Sequence, residues 1–290
     1  MGILLGLLTA LTWGGADFIA RFAAHRVGAL RTTLYMQSCG FALLTLALPW
    51  LGGWGHLADG SGWRPWAWGA SAGLINAFST LSLYRSFEVG KMAVVAPLSA
   101  SYPALTLVIS WLAGDRVSTV RLAGIVLTIF GVILVAAGEK PADSASEGVR
   151  APNTRGMGWA AASGIGFGVL FWLLGNRVIP RVGAAQTVWM IRLTSSLAML
   201  LVFLFAKKRP RTPGGSIWKM SLTMGLMDTG AFVGSNIGMQ LEQVPVISVL
   251  GSLYGAVTVG LASIFLKEHV SGWQWMGIAT IFAGIFLISR

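Results

Sequence analysis

Long apolar stretches alternate with short polar breaks along the whole chain. A bilayer-spanning helix needs about 20 mostly apolar residues. On that spacing the sequence predicts ten helices, near 2–22, 29–51, 65–87, 91–112, 118–138, 156–176, 182–205, 217–239, 244–266 and 272–289. Several neighbours are separated by only a few residues, so they pair as antiparallel hairpins. The first stretch starts at residue 2 without a basic segment before it and reads as a mature helix rather than a signal peptide. The clear change in composition is 139–155, rich in charge, Pro, Ala and Ser, which reads as a flexible linker. The expectation is an all-α polytopic membrane protein, with 1–138 and 156–290 on either side of the linker.

The halves resemble each other. An offset of 154 places Gly2, Gly6, Ala10 and Gly14 on Gly156, Ala160, Gly164 and Gly168, and Trp13 on Phe167. An offset of 152 places Gly73 on Gly225, and Asn76, Thr80 and Tyr84 on Asp228, Phe232 and Asn236. An offset of 153 places Gly124 and Gly131 on Gly277 and Gly284, each pair preceded by an acid and Val-Ser, at Asp115 and Glu268. Ordered matches over three helix pairs indicate an internal repeat. Five helices per copy is an odd number, so the second copy is inverted, as in secondary transporters whose sites lie near the membrane midplane.

Composition agrees with lipid as the solvent. Of 290 residues, 55% are hydrophobic and 11% charged, against about 25% charged in soluble domains. The 38 glycines suit close helix packing in lipid. The net charge of +11 comes from loops. It reads as a topology signal rather than a nucleic-acid surface: 14 Lys and Arg fall on the side of the linker and 6 on the other. That bias places the linker in the cytoplasm and suggests a bacterial-type cytoplasmic (inner) membrane. Cys39 is the single cysteine, and His25, His56 and His269 match no ligand spacing, so no metal and no cofactor is expected.

Polar groups inside spans are costly and should face the interior or a wet cavity. Thr9, Trp13 and Asp17 share one face of helix 1, where an aromatic ring beside a carboxylate suits a cationic or zwitterionic ligand. A plainer reading pairs Asp17 with Arg21 one turn on. Asn76, Thr80 and Tyr84 form a stripe on helix 3; Asp228, Phe232 and Asn236 form its counterpart on helix 8. Helix 4 holds Pro97, Ser99, Tyr102 and Pro103, and the copy of that segment, Val249–Gly255, keeps Ser252 and Tyr254 with glycine in place of proline. Two prolines break a helix and free carbonyls for a site. Arg192, deep in helix 7, needs a partner such as Asp228 or Asp17, or anchors a substrate carboxylate. Phe167, Trp172 and Tyr254 complete the expected aromatic walls. Asp17 and Asp228 are the candidate proton carriers, since a carboxyl in a pocket of low polarity can exchange a proton within the working pH range. No nucleotide-binding loop or catalytic set is present, so transport would run on a gradient and not on ATP.

Leu11-Thr12-Trp13-Gly14-Gly15-Ala16-Asp17-Phe18, the segment Val94–Pro103 and the twin ends (Trp111–Arg116 with Gly124 and Gly131, Ile264–His269 with Gly277 and Gly284) resemble the EamA branch of the drug/metabolite transporter superfamily. The resemblance covers both halves. It implies ten helices around a cavity lined by helices 1, 3, 4, 6, 8 and 9. The family usually shows Gly-Glu at the loop where Gly114-Asp115 and Lys267-Glu268 stand here. The leading expectation is a secondary active exporter of small organic metabolites such as amino acids. A proton-coupled carrier of cationic compounds, and a non-transporting membrane partner protein, are the alternatives. The expected partners are a small-molecule substrate and the lipid bilayer, with the chain a monomer or homodimer.

Overall fold

The computed structural model describes residues 1–114, 116–137, 156–205, 214–241, 244–268 and 270–290. The linker 139–155, Asp115, His269 and the basic cluster Lys207–Arg211 lie outside the described residues. Everything described is helix, turn or loop; there is no strand among the described residues.

The helices are α1 (Gly2–Val27), α2 (Ala29–Ala47), α3 (Arg64–Val89), α4 (Met92–Ala100), α5 (Tyr102–Leu112), α6 (Thr119–Ala137), α7 (Met157–Leu173), α8 (Ile179–Val182), α9 (Ala184–Phe205), α10 (Gly215–Leu241), α11 (Val244–Ser252), α12 (Tyr254–Phe265) and α13 (Gly272–Ile288). They make ten spans, because α4–α5, α7–α8 and α11–α12 each form one broken span. Five of the spans are long and apolar enough to cross a membrane on composition alone, and α13 and most of α6 are shorter apolar helices. The remaining three, α2, α3 and α10, carry the polar groups Gln37, Asn76, Thr80, Asp228 and Asn236 on their buried faces, which lowers their hydropathy. The chain spends its apolar composition on lipid-facing positions and keeps polarity inside.

The two halves match in detail. Gly28 and Gly183 join the first two spans of each half with nearly the same backbone, φ 84°, ψ 153° and φ 96°, ψ 158°. Thr32 donates to Gly28 O at 3.0 Å, and Thr187 repeats this to Gly183 O at 2.6 Å. The offset is 155 here, against 154 one helix earlier. A π-helical turn at Leu174–Val178 supplies the extra residue. The break in helix 4 falls at Ser101, whose N–H bonds Leu98 O, and its counterpart falls at Leu253, whose N–H bonds Leu250 O. The second break forms without proline.

Inversion is visible in the contacts. Gly124 meets the backbone of Gly284, and Gly131 meets that of Gly277. Each glycine touches the repeat counterpart of the other, as a two-fold axis across the helices requires. The same exchange holds where Thr106 Oγ1 donates to Gly168 O (3.1 Å) and Thr258 Oγ1 to Gly14 O (3.5 Å). The glycine faces of α6 and α13 therefore pack on each other within the chain.

Candidate functional site

A cavity opens where the spans of both halves converge. It holds about 430 Å³ of space between atoms, counting its open mouth, and is lined by Trp13, Asp17, Asn76, Thr80, Leu83, Tyr84, Tyr102, Phe167, Phe171, Asp228, Phe232 and Tyr254. Ten of these twelve are five repeat-related pairs: Trp13 with Phe167, Asp17 with Phe171, Asn76 with Asp228, Thr80 with Phe232, and Tyr102 with Tyr254. The cavity thus sits on the axis relating the halves.

Trp13 is the centre of its aromatic wall. Phe171, Phe232 and Tyr254 meet it edge-on at centroid distances of 6.0, 5.5 and 6.4 Å. Tyr102 stacks on Phe171 at 4.6 Å. Edge-to-face pairs hold rings in fixed orientation, so the wall is rigid. Tyr102 donates its hydroxyl to Ser248 O at 3.0 Å, while the buried Tyr254 hydroxyl has no partner among the described residues.

The two carboxylates differ. Asp228 is ion-paired with Arg192. The Arg192 side chain is 0% exposed, donates to Gln37 Oε1 at 2.5 Å, and lies over the Phe232 ring at 5.5 Å. Asp17 is 6% exposed, borders the cavity and has no ion pair or hydrogen bond among the described residues. It lines the same cavity as Asp228. The cavity therefore holds one neutralised acid and one free acid.

Arg21 does not close on Asp17. Its guanidinium pairs with Glu268 at 3.2 Å and donates to Phe87 O at 2.9 Å and Gly90 O at 2.8 Å. Glu268 also accepts from the amides of Met92 (3.4 Å) and Ala93 (3.0 Å) at the start of α4. This clamp joins both halves at the linker side of the cavity and replaces the expected Asp17–Arg21 pair.

Of the residues expected from sequence, Trp13, Asp17, Asn76, Thr80, Tyr84, Tyr102, Phe167, Asp228 and Tyr254 come together here. Four do not line the cavity. Ser99 Oγ donates to Ala160 O at 3.2 Å, tying α4 to α7. Asn236 Nδ2 donates to Ala184 O at 3.0 Å. Trp172 points about 100° around the helix from Phe171, the residue that does face the cavity. Arg192 sits behind Asp228. Leu83, Phe171 and Gln37 were not named from sequence as site residues, and Phe232 was named on the helix 8 stripe but not among the aromatic walls. Phe171 and Phe232 were signalled by being the repeat counterparts of Asp17 and Thr80. Asn76 Nδ2 donates to Ser195 Oγ at 3.3 Å, which holds its amide at the wall. No group of three or more His, Cys, Asp or Glu capable of holding a metal occurs among the described residues.

Comparison with known proteins follows this architecture. The sequence model of the EamA-like transporter family matches residues 1–137 and 154–290. An uncharacterized transporter of Synechocystis sp. is 24% identical over 229 residues, 78% of this chain and 68% of the relative. A crystal structure of another protein, 19% identical, superposes with a TM-score of 0.70 over 99% of this chain and 95% of its own, a likeness of fold.

Proposed function

We propose that this chain, which belongs to the EamA-like transporter family, is a secondary active transporter of the cytoplasmic membrane for small organic metabolites bearing a protonated amine, amino acids among them. The observation that carries this reading is Asp17: a carboxylate bordering the cavity, without a cationic partner, beside Trp13 and the unpartnered hydroxyl of Tyr254. A protonated amine would satisfy the carboxylate by a charge-assisted hydrogen bond and rest on the aromatic wall. Arg192 is already engaged by Asp228 and Gln37, which argues against a free anion anchor and for amine recognition. Inverted halves support alternating access around a fixed midplane site. Coupling to protons rests on the same carboxyl, which would carry either a proton or the amine.

The test is transport by protein reconstituted in vesicles, with a panel of amino acids and amines. Asp17→Asn is expected to lower binding by about ten- to a hundredfold, the worth of a charged hydrogen bond, with thermal stability unchanged. Export further predicts that overproducing cells excrete more of the substrate than cells lacking the protein. Wild-type uptake and pH dependence in Asp17→Asn would sink the assignment.

A further inference from the structure

A second site lies away from the cavity, at the linker-side end of the bundle. The turn from α1 to α2 (Val27, Gly28, Ala29, Leu30, Arg31), the end of α3 (Leu81, Arg85, Glu88), Trp159 of α7 and Phe203 of α9 enclose a groove of about 1060 Å³, counting its open mouth. Its charges are unevenly satisfied. Glu88 pairs with Arg85 at 2.9 Å through one oxygen and accepts from the Ala29 amide at 3.0 Å through the other. Arg31 is half-buried and its Nε has no hydrogen-bond partner; no carboxylate among the described residues pairs with it. A cation left in this state at a protein surface in water would be unremarkable. Sunk into an apolar groove at the end of a membrane bundle, with its Nε buried and no counter-charge among the described residues, it is completed by an anion.

We infer that this groove seats the headgroup phosphate of an anionic phospholipid. The observations favour a lipid over a free anion. The walls are Val27, Leu30, Leu81 and Phe203, which suit acyl chains rather than a hydrated ion. Trp159, 46% exposed at the start of α7, is a residue type that favours the headgroup boundary. The groove opens on the linker side, which carries the majority of basic residues and so faces the leaflet where basic pockets between helices hold anionic headgroups. Arg31 supplies the guanidinium fork, and Arg85, paired with Glu88, neutralises the acid of the groove so that the charge of Arg31 is left over.

Native mass spectrometry of the full chain, released from detergent with phosphatidylglycerol or phosphatidylcholine, tests this. The expected result is one retained phosphatidylglycerol per chain, a raised melting temperature with that lipid, and no comparable effect of phosphatidylcholine. Arg31→Gln should lower retention about tenfold while leaving the melting temperature in lipid-free detergent unchanged. Arg31→Lys, which keeps the charge and loses the fork, should retain an intermediate amount and decides the matter if Arg31→Gln fails to fold. Equal retention of both lipids, equal retention by Arg31→Gln or, where that variant does not fold, wild-type or abolished retention by Arg31→Lys, or equal protection by inorganic phosphate would each overturn the lipid site. Amine transport through the Asp17 cavity is measured separately, so either proposal can fail alone.

Discussion

Gln37 and Arg192 are each other's counterparts in the two halves, and Gln37 Oε1 accepts a hydrogen bond from Arg192 Nη1 at 2.5 Å. Residues near a two-fold axis meet their own copies, so this contact marks where the halves face each other. It also marks where they part company. The first half carries the amides Gln37 and Asn76 at positions where the second carries the ions Arg192 and Asp228. The substitution is paired, which keeps the buried charge balanced.

That pairing predicts a non-additive mutant cycle. Arg192→Gln leaves Asp228 buried against an amide and should destabilise by about 3–5 kcal/mol. Asp228→Asn strands Arg192 and should cost a similar amount. The double variant Arg192→Gln/Asp228→Asn recreates the neutral pair of the first half and should recover more than half of either loss. Thermal midpoints of the purified protein in detergent measure all three; additive losses would show that the two side chains are not coupled.

A second pair of counterparts predicts opposite outcomes. Tyr102 donates to Ser248 O, whereas Tyr254 has no acceptor. Tyr102→Phe should therefore lower stability by about 1 kcal/mol, and Tyr254→Phe should leave it unchanged or raise it. Substrate affinity should respond in reverse, falling with Tyr254→Phe because its free hydroxyl borders the cavity. Paired melting and binding titrations separate the effects.

The spans and the inverted repeat were legible in the sequence because they depend on local quantities, namely apolar length and glycine spacing. The break at Ser101 was marked by Pro97 and Pro103, whereas the break at Leu253 is flanked by Gly251 and Gly255 instead of proline. Asp228 was named among the partners of Arg192 because an ionised group in a span must have one. Gln37 was not, since a lone amide on α2 has no signature until α9 lies beside it. The plainer reading of Asp17 paired it with Arg21 one turn away, yet Glu268 reaches Arg21 from the far end of the chain. Local spacing shows what can pair, and tertiary contact decides what does.

The packing of α6 on α13 leaves no room for a side chain. A Cβ on Gly131 would lie 2.6 Å from Ile281 N and 2.8 Å from Gly277 O. These are backbone atoms and cannot rotate aside. Gly131→Ala is expected to destabilise by about 1–3 kcal/mol, and Gly131→Leu by more. Gly277→Ala, its partner in the same contact, should behave alike, and the two together should be less than additive because one separation of the helices relieves both. Gly260, with open space around it, serves as the control, where Ala should be tolerated.

The clamp at Arg21 and Glu268 predicts a change in access rather than in affinity. Arg21 lies one turn beyond Asp17 on the same face of α1, so it stands between the cavity and the linker-side water. Both side chains are largely buried, at 17% and 10% exposure, so their attraction is less screened than that of a surface pair. Glu268→Gln keeps one acceptor oxygen, enough for the Ala93 amide, and removes the charge that holds Arg21. The linker-side end should then open more often. A cysteine placed at Thr80, in a Cys39→Ala background, should react with a membrane-impermeant maleimide from that side about tenfold faster in Glu268→Gln, the kinetic equivalent of losing a charged hydrogen bond. Reaction from the opposite side should not accelerate. An unchanged rate from the linker side would mean that the pair holds the fold together without controlling the passage.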